Sequence, residues 1–329
     1  MSERIIIYGA GAVGSVMGAH LHRGGHDVVL IARGAHREVL QRQGLTLVAH
    51  AGTSQHAVPT VGHPAEIDFR AGDAVILTMK TQDVAAALAD LRGATDLELP
   101  VVCAQNGVAS ERIASRRFEN VHGMLVWLPA MFLEPGRVVA YGSPSPGLLD
   151  AGRYPRGVDA DIERVTAALH ASGLIARAQP DIMRWKYNKL LSNLFNALMA
   201  TLGPGADFGD FPKRIREEAE ACYAAAGIDW VPEDEARRQR EELGVHMVHI
   251  EGEARLGGSS WQSLERGLGS IETDYLNGEI VQLGRRHGIP TPYNRALQRA
   301  ANRMARQGSK PGAISLPDLE AEIAPPRAS

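Results

Sequence analysis

Two architectures in series are expected from this chain: an α/β half built on a parallel sheet, then an all-α half. Three observations lead there. A strand, a glycine turn and a helix follow one another at the N-terminus, β-rich runs with polar carboxyl ends recur through the first half, and beyond about residue 180 apolar residues repeat at three- and four-residue spacing. A length of 329 residues exceeds what one core usually organises and predicts two domains with a cleft between them.

Residues 4–8 (Arg-Ile-Ile-Ile-Tyr) are expected as a buried strand, followed by Gly9-Ala10-Gly11-Ala12-Val13-Gly14 and a helix over Ser15–Leu21. Gly24-Gly25 ends that helix and His26–Ala32 is a second strand, so a βαβ unit closes within about 30 residues. Asp73–Thr78 and Pro100–Ala104 are further strands, with Met79-Lys80-Thr81-Gln82 and Gln105-Asn106-Gly107 at their carboxyl ends. In an open parallel sheet ligands sit outside the carboxyl ends, which puts Lys80 and Asn106 on the ligand side. Residues 121–150 are β- and Gly/Pro-rich, Val158–Ala171 reads as a helix, Leu174–Ala178 as a strand, and the boundary falls near Gln179-Pro180. Beyond it helices are expected at Met183–Ala200, Lys213–Ala226, Glu233–Glu251 and Ser270–His287. The expected domains are 1–179, a Rossmann-type dinucleotide-binding domain, and 180–308, a helical domain, with a frayed tail at 309–329 carrying Pro311, Pro317, Pro325 and Pro326.

Composition narrows the function. With 44% hydrophobic and 22% charged residues the chain reads as globular, and 35 basic against 38 acidic residues are too balanced for a nucleic-acid surface. Cys103 and Cys222 make neither a disulfide framework nor a zinc site, the N-terminus lacks the pattern of a secretion signal, and no apolar run approaches a membrane span. A cytoplasmic protein is expected, without membrane or nucleic-acid partners and with a homodimer left open.

The glycine hexapeptide has a mechanism. Gly9 permits the tight turn, Gly11 lets backbone approach a pyrophosphate, and Gly14 allows close packing of helix on strand, while Ala10, Ala12 and Val13 complete the loop. Where NAD-specific folds commonly place a carboxylate at the end of the second strand, this one has Arg33, whose planar fork suits the 2′-phosphate of NADPH. On the helix Met183–Ala200, Asn193 and Asn196 return close to the direction of Lys189, so one face presents an amine and two carboxamides within an otherwise apolar helix. Lys186, one turn earlier, is expected to be dispensable. His246 and His249 beside Glu251 are read as a solvated face rather than a metal site.

Taken together, Gly9–Gly14, Ala32-Arg33-Gly34, Lys80-Thr81-Gln82, Gln105-Asn106-Gly107-Val108, Trp185 through Asn193, Ser259-Ser260 and Glu272 through Gly278 resemble the ketopantoate reductase (2-dehydropantoate 2-reductase) family over nearly the whole chain. The resemblance implies an NADPH-dependent oxidoreductase that reduces ketopantoate to pantoate on the pantothenate route. It places the catalytic lysine on Lys189, substrate-binding residues on Asn193 and Ser260 with Asn196 beside them, and a cleft glutamate on Glu272. Asn106 takes the position that meets both nicotinamide and substrate, and Lys80 that of a cleft lysine. Lys80, Asn106, Ala130 and Glu272 join the glycine loop and Arg33 as cofactor-binding residues. Lys189 is the expected proton donor, its pKa lowered by burial, and no metal is required. Two departures stand out: Ala197 occupies the place of the second asparagine, with Asn196 one position early, and no further asparagine occurs in Leu202-Gly203-Pro204-Gly205-Ala206-Asp207. The 2-oxo acid therefore stays open, with an opine-type or hydroxyacid dehydrogenase and a non-catalytic NADPH sensor as alternatives.

Overall fold

The computed structural model describes residues 3–253 and 257–323. The chain divides into two compact units, Met1–Lys186 with Pro232–Ala254, and Tyr187–Val231 with Arg255–Ser329.

The first unit opens with β1 (Arg4–Tyr8), α1 (Ala12–Arg23), β2 (Asp27–Ile31), α2 (Gly34–Gln43), β3 (Leu45–Ala49), β4 (Gly52–His56), β5 (Thr60–Val61), β6 (Ala74–Leu77), α3 (Thr81–Ala94), β7 (Val101–Cys103) and α4 (Ser110–Ala114). It continues through β8 (Val121–Met124), β9 (Ala130–Glu134), β10 (Arg137–Ala140), β11 (Gly142–Ser143), β12 (Ala151–Arg153) and α5 (Ala160–Ala171). Seven strands form one sheet in the order β12-β8-β7-β6-β1-β2-β5, parallel except for β12. This is the parallel sheet expected from the N-terminal βαβ pattern.

Both faces of the sheet are covered, which is why its inner strands are largely apolar. Successive residues of β1 serve opposite cores: Ile5 and Ile7 pack with Val16, Met17 and Leu21 of α1, whereas Ile6 and Tyr8 pack with Val84, Leu88 and Leu91 of α3. A second sheet, β4-β3-β10-β9, lies against α1. Leu174–Ala178, expected as a strand, makes only isolated bridges from Ile175 to Leu148 and from Ala178 to Ala151, too few for a ladder.

The second unit begins within α6 (Ile182–Leu202) and holds α7 (Phe211–Ala226). The chain then returns to the first unit for α8 (Glu233–Glu242) and β13 (His246–Met247), which pairs antiparallel with β11 through Gly142 with Met247 and Ser143 with His246. The helix expected over Glu233–Glu251 therefore ends early: Gly244 takes a left-handed φ of +63°, and the segment after it is drawn into pairing. The compact units part inside α6, between Lys186 and Tyr187, a few residues beyond the boundary expected near Gln179-Pro180, and 232–254 belongs with the sheet.

The second unit resumes with α9 (Ser259–Glu265), a 3-10 turn (Glu272–Tyr275), α10 (Asn277–His287), α11 (Pro292–Gln307) and α12 (Leu316–Ala321). The helix expected over Ser270–His287 is interrupted at Leu276, whose φ and ψ of −111° and −88° are not helical. Helix α11 is absent from the expected set because its buried stripe is largely alanine: Ala296, Leu297, Ala300, Ala301, Met304 and Ala305. The tail expected to fray from residue 309 instead docks through residue 323. Gly312 N donates to Ala200 O at 3.1 Å, Ser315 caps α12, and Leu319 is fully buried. Residues 324–329 lie outside the described residues. No described helix is long and apolar enough to cross a membrane.

Candidate active site

The glycine turn follows β1 and leads into α1. Gly9 has a φ of +110°, and a Cβ there would come within 2.6 Å of Met79 N. A side chain at Gly14 would collide with Gly9 O, Thr78 Oγ1 and Ile7. At Gly11 an added Cβ would meet no protein atom within 4 Å, so internal packing does not demand glycine there. Gly11 is also the N-cap of α1 and has no side-chain cap. Open space beside uncapped helix-terminal amides fits a pyrophosphate. Thr78, which the glycine pattern does not single out, holds the turn by donating to Gly9 O at 2.6 Å.

At the carboxyl end of β2, Arg33 is the extended N-cap of α2. Its side chain is 67% exposed, with Nη2 3.6 Å from Asp90 Oδ2 and 3.5 Å from Tyr8 Oη. His63 Nε2 lies 3.7 Å from the same Asp90 oxygen. Arg33 is thus available to an anion, with Asp90 as its present counter-ion. Burial pushes the Tyr8 phenol up, keeping it a neutral donor beside the pair.

Parallel pairing puts Lys80 and Asn106 past the carboxyl ends of β6 and β7, in agreement with the expectation from the strand pattern. Lys80 is the half-buried N-cap of α3, and Asn106 precedes Gly107, whose φ is +80°. Gln105, which enters the sequence pattern only as part of a motif, ties these loops together: Nε2 donates to Leu77 O at 2.7 Å and Met79 O at 3.1 Å. Ala130 starts β9, half-buried against the core on the α1 side of the sheet.

Lys186, one turn before Lys189, is enclosed within the first unit. It is 3% exposed and ion-paired at 2.5 Å with Glu111, which is wholly buried. Lys186 is the last residue of the first unit's main segment, whereas Lys189, one turn on, belongs to the second. The two lysines therefore have different environments despite their similar helical direction.

In the second unit, α6 carries the half-buried Lys189, the buried Asn193, and Asn196, whose Oδ1 would lie 3.3 Å from a Cβ on Gly258 at the head of α9. Ser260 stands in the first turn of α9, 2% exposed. Asn193 Oδ1 and Ser260 Oγ are buried without a hydrogen-bond partner, a costly state unless a ligand meets them. Ala197, by contrast, is fully buried in the core. Glu272 opens the 3-10 turn and is buried.

A buried amide joins these elements. Asn277 Nδ2 donates to Leu194 O at 3.3 Å and to Asn294 Oδ1 at 3.0 Å, while its Oδ1 accepts from Thr273 Oγ1 at 3.3 Å. Leu194 adjoins Asn193 and Thr273 adjoins Glu272. Asn294 in turn donates to Glu218, which also accepts the amides of Tyr293 and Asn294 at the start of α11. Burial pushes the Glu218 carboxyl up, a shift these hydrogen bonds oppose. No group of three or more metal-ligating side chains occurs among the described residues.

Residues 5–154 match the family Ketopantoate reductase PanE/ApbA, and residues 181–305 match Ketopantoate reductase PanE/ApbA C terminal. The chain is 28% identical over 304 residues to a 2-dehydropantoate 2-reductase of Archaeoglobus fulgidus, covering 90% of this chain and 95% of that one. It is likewise 28% identical to one of Mesorhizobium japonicum, covering 92% and 98%. Among solved structures, a PanE/ApbA family ketopantoate reductase from Ralstonia eutropha superposes with a TM-score of 0.76 at 28% identity, over 93% of this chain and 99% of that one. D-mandelate dehydrogenase shares the fold, with a TM-score of 0.78 at 24% identity over 93% and 99%. With both halves matched in order and a sheet unit followed by a helical unit, the chain is an oxidoreductase that belongs to the ketopantoate reductase family.

Proposed function

We propose that this protein reduces a 2-oxo acid with NADPH, and that the acid is 2-dehydropantoate, yielding pantoate. The observation that carries the reading is the pair of buried, unpartnered polar atoms in the helical unit, Asn193 Oδ1 and Ser260 Oγ, where the substrate's polar groups would be met. Curated relatives along nearly the full length bear the name of that activity.

When bound, NADPH would supply the hydride that the carbonyl carbon takes up. The chain supplies the rest. Gly9–Gly14 and the head of α1 would hold the pyrophosphate and Arg33 the 2′-phosphate, with Lys80, Asn106 and Ala130 completing the cofactor-binding set. Lys189 delivers the proton to the carbonyl oxygen as negative charge develops there, turning the ketone into an alcohol. Glu272 orients that lysine or the nicotinamide ribose, and Asn106, Asn193, Asn196 and Ser260 fix the substrate.

A second reading, another 2-oxo or hydroxy acid dehydrogenase, is favoured by Ala197, which is fully buried and cannot offer a carboxamide to pantoate hydroxyls. NADPH oxidation measured against ketopantoate and a panel of 2-oxo acids decides. Preference for ketopantoate by orders of magnitude supports the first reading and preference for another acid the second. NADPH binding without turnover on any carbonyl would mark a sensor.

A further inference from the structure

The ammonium of Lys186 collects acceptors from the carboxyl edge of the sheet. Besides Glu111 Oε1 at 2.5 Å, it donates to Gln105 O at 3.0 Å, Met124 O at 3.2 Å and Cys103 O at 3.3 Å. Cys103 and Met124 are the last residues of β7 and β8, and Gln105 immediately precedes Asn106. Gly123 of β8 makes room for the pair: a Cβ there would come within 3.1 Å of Glu111 Oε1 and 3.3 Å of Lys186 Cδ.

Stability alone does not account for this arrangement. Taking two charges out of water is costly, and apolar residues of similar volume often serve a core equally well. Here the cost is incompletely offset, because Glu111 Oε2 is buried without a hydrogen-bond partner. What apolar side chains could not do is hold the Gln105 carbonyl. The Gln105 amide already grips Leu77 O and Met79 O from the other side of the turn. We infer that Lys186 and Glu111 are a positioning pair that holds the Gln105-Asn106-Gly107 turn and so sets where Asn106 presents its carboxamide. The inference rests on the assignment of Asn106 proposed above.

The test compares Lys186→Met, Glu111→Leu and the double variant. Each single change strands a buried charge and should lower Tm by about 10 °C, while the double variant should return to within roughly 3 °C of wild type. Despite that recovery, amide hydrogen exchange in residues 104–109 should be roughly 10-fold faster than in wild type, and KM for the 2-oxo acid roughly 10-fold higher. NADPH dissociation, read by its fluorescence, should change less than KM for the 2-oxo acid, since the glycine turn and Arg33 are untouched and Asn106 is only one of the cofactor's contacts. A double variant with restored Tm and wild-type exchange would overturn the inference. Should the double variant not fold, Gly123→Ala presses on the pair without removing a charge. Faster exchange in 104–109 there supports the inference, and unchanged exchange overturns it. Asn106→Ala separates the two claims: wild-type KM in that variant would refute the role of Asn106, whereas hydrogen exchange judges the holding of the turn independently.

Discussion

The proposed role of Arg33 in choosing between the two nicotinamide dinucleotides draws on a guanidinium that reaches solvent at the end of β2, with Asp90 and Tyr8 beside it. Arg33→Asp should weaken NADPH binding by roughly 1.5–3 kcal/mol, the range for hydrogen bonds to charged groups, and NADH binding much less. Equal losses in fluorescence titrations of the two cofactors would remove Arg33 from the 2′-phosphate site. Lys189 is tested by turnover. General acid catalysis typically contributes about 10²–10⁴-fold, so Lys189→Ala should lower kcat by that factor and leave NADPH affinity nearly unchanged. Asn196→Ala should raise KM for the substrate without altering NADPH dissociation; if neither moves, Asn196 is structural.

Helix α6 owes its position in the second unit partly to one amide, since Asn277 reaches the carbonyl beside Asn193 and the hydroxyl beside Glu272. Asn277→Ala leaves the Leu194 carbonyl, the Thr273 hydroxyl and the Asn294 amide oxygen without that partner. It should destabilise the second unit by about 1–3 kcal/mol and raise KM for the substrate more than KM for NADPH. Wild-type stability in chemical denaturation would show that water replaces the amide at no cost. At the chain's end α12 docks on the helical unit through Leu319, which is fully buried. Leu319→Ala should therefore cost about 2–5 kcal/mol in the same denaturation, whereas a frayed tail would show no change.

Across the molecule, individual buried groups in the two units pull stability in opposite senses with pH. In the first unit burial pushes the imidazoles of His20, His56 and His122 below the ordinary value of 6.5. Depressed folded-state values mean that their contribution to stability is present above 6.5 and is lost as pH falls through the lowered values. In the second unit Glu218 is raised above its ordinary value of 4.5, so its contribution is fully present below 4.5 and is lost as pH rises through the raised value. Acidification from pH 7.5 to 5.5 should lower Tm, and His122→Gln should shrink that drop. Glu218→Gln should flatten the opposite trend. A Tm that rises between pH 7.5 and 5.5 would contradict the histidine assignment.

The βαβ start, the strand after Gly72 and the one ending at Cys103 are legible in the sequence because periodicity and turn chemistry act over a few neighbouring residues. Parallel order then follows from the short βαβ crossovers, which is why the sequence alone suffices to place Lys80 and Asn106 at carboxyl ends. The polar face of α6 is legible for the same local reason. Its partners are not. Lys186 and Lys189 stand three residues apart on one helix, yet what surrounds Lys186 comes from Glu111 and from carbonyls up to 83 residues away in sequence. The return of 232–254 to the first unit depends likewise on β11 pairing with His246 and Met247, about a hundred residues downstream. Local pattern decides which elements form and which face is polar. Which buried charge is satisfied, and by what, depends on groups that only long-range packing brings within reach.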